Sequence, residues 1–95
     1  MPADIHEQFP ELFQFLAGCF HEDWEGVPDD VIRAFVAAAP TERRQSIANE
    51  IDRLLAETTD GKELSRSLTA LGCRYAPEAD GLSDRQWLSS VRAAM

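Results

Sequence analysis

The chain has 95 residues, 44% of them hydrophobic and 27% charged, with a formal net charge of −8 at pH 7. That balance suits one globular domain with a single core and argues against disorder over most of the length. It leaves little room for a deep enclosed active site, and its acidity disfavours nucleic acid as a partner, because phosphate would be repelled.

Residues 1–8 are read as an N-terminal extension free to be disordered, and residues 9–95 as a single helical domain. Phe9, Leu12, Phe13, Leu16 and Phe20 recur at steps of three and four, one face of an amphipathic helix starting near Pro10. Phe15 falls off this face and is expected to be half exposed. The run HEDWEGV then turns the chain. Pro28-Asp29-Asp30 reads as the first turn of a second helix, with proline at N1 and two carboxylates near the positive end of the helix dipole. Its buried face is expected to be Val31, Ile32, Phe35, Val36 and Ala39. Pro40-Thr41 closes that helix and opens a third, with Ile47, Ile51, Leu54 and Leu55 in register. Arg43, Arg44, Glu50, Asp52, Arg53 and Glu57 are expected to form its mixed-charge solvent surface.

Thr59-Asp60-Gly61 breaks the pattern. Asp60 and Glu63 have the spacing of a capping box for a helix carrying Leu64, Leu68 and Leu71, and Gly72 is placed to end it in a left-handed conformation. CRYAPEADGL is a connecting loop. Ser83 and Gln86 have the same capping spacing, followed by Trp87, Leu88 and Val91 facing inward. No stretch alternates apolar and polar residues long enough for a strand, so the fold class expected is all-α, a compact bundle of about five short helices. No apolar run reaches the length of a membrane span, and MPADIHEQFPEL lacks the order of a secretory signal. A cytoplasmic location and no membrane partner are therefore expected.

Candidates for chemistry are weak. His21, Glu22 and Asp23 are metal-ligand types, but consecutive residues point apart, and neither HExxH nor EF-hand spacing occurs. Cys19 and Cys73 form no CxxC pair and read as buried, reduced thiols. No nucleophile–base pair and no glycine-rich phosphate loop is present. No catalytic residue, metal or cofactor is expected.

The charge distribution is more informative. Residues 1–32 hold eight acids and no Lys or Arg, whereas residues 33–95 hold nine of each sign. Glu22, Asp23, Glu25, Asp29 and Asp30 place five carboxylates within nine positions without an intervening base. Such a cluster is either a solvated face or a docking surface for a cationic partner, and it is taken as the candidate partner-binding site. Within the same block His21 is expected to cap the preceding helix as a cation. Trp24 is expected to plug the bundle end while its indole N–H finds a backbone carbonyl. Phe15 and Tyr75 are expected to supply exposed aromatic anchors.

The segments FPELFQFLAGCFHEDW, PDDVIRAFVAAAP, EIDRLLAE and LGCRYAPEADGLSDRQWLSSVRAAM together resemble, in order, the small helical immunity proteins of bacterial contact-dependent growth inhibition systems (CdiI-like). The most specific pieces are FHEDW and the closing LGC-x-Y…GL-x(4)-WL pattern, which contain Phe20, His21, Trp24, Tyr75 and Trp87. Relatives often read YFHQDW where this chain has Cys19 and Glu22. The resemblance implies a stoichiometric inhibitor that occludes the C-terminal toxin domain of a cognate effector. Many such toxins are nucleases, whose basic faces would suit an acidic inhibitor. A protein so charged is expected to be a monomer when free. The competing reading is a small acidic helical adaptor or regulatory subunit binding a basic host protein, with no toxin partner.

Overall fold

The computed structural model describes residues 4–95. The part of the expectation for an N-terminal extension that falls on residues 1–3 lies outside the described residues. The fold is all-α: α1 (Ile5–Gln8), α2 (Pro10–Cys19), α3 (Pro28–Ala38), α4 (Thr41–Glu57), α5 (Gly61–Ala70) and α6 (Asp84–Ala94). A short 3-10 helix, Pro77–Asp80, sits inside the loop before α6. The body measures 36 × 31 × 23 Å.

Local chemistry explains most boundaries. Asp4 caps α1 by accepting from the His6 N–H at 2.9 Å. Pro10 and Pro28 occupy the first turns of α2 and α3, where a missing N–H costs nothing. Asp60 caps α5 by accepting from the Lys62 N–H at 2.9 Å. Glu63 makes no reciprocal bond, so this is a simple cap and not a box. The box expected at α6 is complete: the Gln86 N–H donates to Ser83 Oγ and the Ser83 N–H to Gln86 Oε1.

α5 ends in a Schellman motif. The Cys73 N–H donates to the Leu68 carbonyl and the Gly72 N–H to the Thr69 carbonyl, both at 3.0 Å. Gly72 sits at φ +87°, and a Cβ there would lie 2.8 Å from the Ala17 Cβ. This glycine therefore permits both the turn and the close approach of α2.

α2 and α4 form the central contact, α6 packs on α4, and α3 and α5 both lean on α6. Leu12, Leu16, Phe20, Ile47, Ile51, Leu54, Leu64, Leu68, Leu71, Trp87, Leu88 and Val91 share one core. Of the face expected for α3, Ile32 is buried, while Val31, Phe35 and Val36 are partly buried against that core.

Two residues are placed differently from expectation. Phe15 is 0% exposed. It packs against Phe35 of α3, with ring centroids 4.7 Å apart, and against Phe20 at 6.1 Å. α3 covers the side of α2 that helical periodicity had left open, so α2 is buried on two faces. Glu50 is 9% exposed and belongs to the interior, not to a solvent face. Phe9, at the N-cap of α2, offers no side-chain cap. Glu50 reaches across from α4 instead and accepts from the Leu12 N–H at 3.0 Å and the Glu11 N–H at 3.3 Å. A carboxylate from another helix thus satisfies the open N-terminus of α2.

The short α1 is also docked. The His6 ring stacks on Phe13 at 4.0 Å, and its Nε2 lies 2.5 Å from the Ala70 carbonyl at the end of α5.

Candidate partner-binding site

Phe20 closes α2 with its ring 0% exposed. The next residues reverse the chain through local hydrogen bonds. The Trp24 N–H donates to the His21 carbonyl and the Asp23 N–H to His21 Nδ1, each at 3.0 Å. Gly26 completes the reversal at φ +100°. His21 is exposed and its Nδ1 accepts within the turn, so its ring orders the reversal and, among the described residues, makes no hydrogen bond to the last carbonyls of α2. The Arg74 N–H donates to the Phe20 carbonyl at 2.8 Å, which ties this turn to the segment following α5.

That tie brings together an aromatic cluster scattered in sequence. Phe20 lies 5.3 Å from Trp24, 5.8 Å from Tyr75 and 5.2 Å from Trp87, centroid to centroid. Tyr75 in turn meets Trp24 at 5.4 Å and Trp87 at 5.1 Å. Most of these pairs meet edge to face, the arrangement that the aromatic quadrupole favours. Trp24 is partly buried against the core through ring contacts alone, because its indole N–H makes no hydrogen bond among the described residues. The Trp87 indole nitrogen is fully buried and likewise unpartnered.

Tyr75 is buried and is not an exposed anchor. Its hydroxyl donates to Asp80 Oδ2 at 2.6 Å. Burial of the ring, the Asp80 carboxylate and the charge of Asp29 push the phenol up to about 12. Phe15, the other expected anchor, is buried in the core. The large exposed hydrophobic residues are instead Val27 and Leu82, at 56% and 36%. Periodicity carries no signal for either, since both stand outside the helices, Val27 as the N-cap of α3 and Leu82 in the loop before α6; Leu82 does belong to the GL-x(4)-WL pattern.

Glu22, Asp23, Glu25, Asp29 and Asp30 are all exposed. Asp30 pairs with the equally exposed Arg33 at 3.7 Å, and the other four form no ion pair among the described residues. Three of the five, Asp23, Glu25 and Asp29, flank Trp24. Asp23 and Glu25 border a shallow hollow shared by Trp24 and Phe35. Asp29 borders a larger groove of about 620 Å³ on the other side, with Trp24, Tyr75, Trp87, Val27, Leu82 and Asp80.

Reactive groups are few. Cys19 is half-buried and Cys73 buried, and both are free. Burial raises both thiols, Cys73 to about 11, which leaves little thiolate at neutral pH. Among the described residues no group of three or more His, Cys, Asp or Glu is arranged to hold a metal. No helix among them is long and apolar enough to cross a membrane.

The all-α body thus carries an open groove with aromatic rings and two carboxylates, Asp29 and Asp80, in its lining. The chain belongs to the CdiI immunity protein family, whose model matches residues 8–95. It is similar to a chain in the crystal structure of a CdiA-CT/CdiI complex from Y. kristensenii 33638, with 31% identity over 98% of both chains and a TM-score of 0.90. Comparison with curated proteins finds no match.

Proposed function

We propose that this chain is an immunity protein that binds and neutralises the C-terminal toxin domain of a cognate CdiA effector. The observation that carries the reading is the likeness, in family and in nearly full-length fold, to a chain solved in a CdiA-CT/CdiI complex. The inhibition is stoichiometric and non-catalytic, and a free monomer in the cytoplasm covers the working surface of the incoming toxin. Glu22, Asp23, Glu25, Asp29 and Asp30 form the face that meets it. Four of them form no ion pair among the described residues, so their field is available to steer a basic partner. A nuclease is the toxin class with such a surface, because it must hold phosphate. Docking would cover about 1,200–2,000 Å² in total, the standard size for a specific complex.

The test is co-purification of this protein with the toxin domain encoded beside its gene, followed by growth assays. A 1:1 complex and rescue of cells expressing the toxin are expected. Continued killing by that toxin, with no complex at micromolar concentrations, would refute the reading.

A further inference from the structure

The groove beside Asp29 has a chemistry more specific than an acidic patch. Trp24 contributes the accessible aromatic face, with the buried Tyr75 and Trp87 packed behind it, and Val27 and Leu82 contribute its exposed apolar edge. Two carboxylates complete it. Among the described residues Asp29 forms no ion pair, and Asp80 accepts from Tyr75 through Oδ2 with no partner on Oδ1. Arg74 is the sole base lining the groove. Its guanidinium donates to the Thr69 carbonyl at 3.3 Å and pairs with neither acid.

An apolar side chain entering this groove would strip water from Asp29 and Asp80 and return nothing to them. An ammonium would satisfy the charge but not the planar aromatic face. A guanidinium does both: it stacks on aromatic faces and presents a fork of N–H donors to carboxylates. Its three-carbon stem would lie against Val27 and Leu82, as long cationic side chains do on apolar surface. We infer that this groove is the seat of one arginine side chain of the toxin domain, the central anchor of the complex. This rests on the immunity reading for the source of the arginine, but not for the chemistry of the groove. The elevated Tyr75 phenol is consistent with it, since Asp80 and Asp29 both contribute negative potential there.

The molecule carries its own reporters. Its two tryptophans both line the groove, so both indole N–H signals of the ¹⁵N-labelled protein report on it, and Trp87, which does not border the hollow beside Phe35, separates the two sites. Saturation with unlabelled toxin domain is expected to shift both. Asp29→Asn should weaken the complex at least about tenfold, the scale of a truncated charge pair at an interface. Glu57→Gln removes the same charge from an exposed position of α4 outside the groove and should change affinity less than about twofold. On the toxin, replacing one arginine by alanine should match the Asp29→Asn loss, and lysine should restore only part of it. Unmoved indole signals in a saturated complex, or an Asp29→Asn variant as tight as the parent, would overturn the inference while leaving the immunity reading intact. If the toxin does not bind at all, N-acetyl-arginine methylamide decides. Saturable indole shifts at millimolar concentration, absent with the norleucine analogue, support the groove. Equal shifts from both, or none from either, refute it.

Discussion

Glu50 and Asp29 are both carboxylates at the start of a helix, and they do opposite things. Glu50 arrives from α4, is nearly excluded from water, and accepts from two backbone N–H groups of α2. Asp29 lies in the first turn of its own helix, α3, is exposed, and makes no ion pair. The α2–α4 contact consumes its charge internally, whereas the turn leading into α3 leaves its charge facing out. A carboxylate's role therefore depends on whether the fold delivers donors to it. Where donors are delivered, the charge stabilises the body. Where none are, it is available to another molecule.

Substitutions should separate these two regions. The largest effect is expected from Glu50→Ala, which strands the N–H groups of Glu11 and Leu12 in a buried place. A loss of about 2–3 kcal/mol is expected, read as a lower denaturation midpoint, with toxin affinity of the folded fraction unchanged. If Glu50→Ala were as stable as the parent, the trans-helix cap would be irrelevant. Gly72→Ala should come next, at about 2 kcal/mol, from a strained left-handed residue and the clash with Ala17. Thermal unfolding of the variant tests this directly.

The outer region should respond kinetically. Reversing Asp23, Glu25 and Asp29 to lysine is expected to slow toxin association at least about tenfold at low ionic strength. The difference should shrink at high salt as the field is screened. Global stability should move by less than about 1 kcal/mol, since none of the three is paired. An on-rate within twofold of the parent would show that steering lies elsewhere.

The smallest effect concerns Tyr75, the single tyrosine. Its ultraviolet titration should have a midpoint of about 12. Because the fold raises this pKa, it favours the neutral phenol. The contribution is complete below the unfolded value of about 10 and is lost as pH rises towards 12. Asp80→Asn should lower the midpoint without restoring the ordinary value, because burial is the larger cause.

Much of this was readable from residue order. The starts at Pro10 and Pro28, the Ser83–Gln86 box and the left-handed Gly72 each depend on chemistry within a few residues, so local pattern suffices. The inward faces of α4, α5 and α6 were likewise legible, because each helix buries one stripe. Periodicity failed where a second element covers another face. Phe15 looked half exposed until α3 lay across it, and Glu50 looked solvated until the end of α2 met it. The resemblance carried by FHEDW and GL-x(4)-WL reached the family, since those short patterns survive substitution elsewhere.

Residue order thus settled the five α-helices from Pro10 onward, where most of them begin, and that the excess negative charge lies in residues 1–32. Tertiary packing alone decided which carboxylates find donors and which stay bare. It also decided that Trp24, Tyr75, Leu82 and Trp87, spread over 64 positions of chain, would line a single groove with Asp29. The physical reason is range. Capping and periodicity act over one or two turns, whereas a groove needs contacts between segments that only the closed core holds in place.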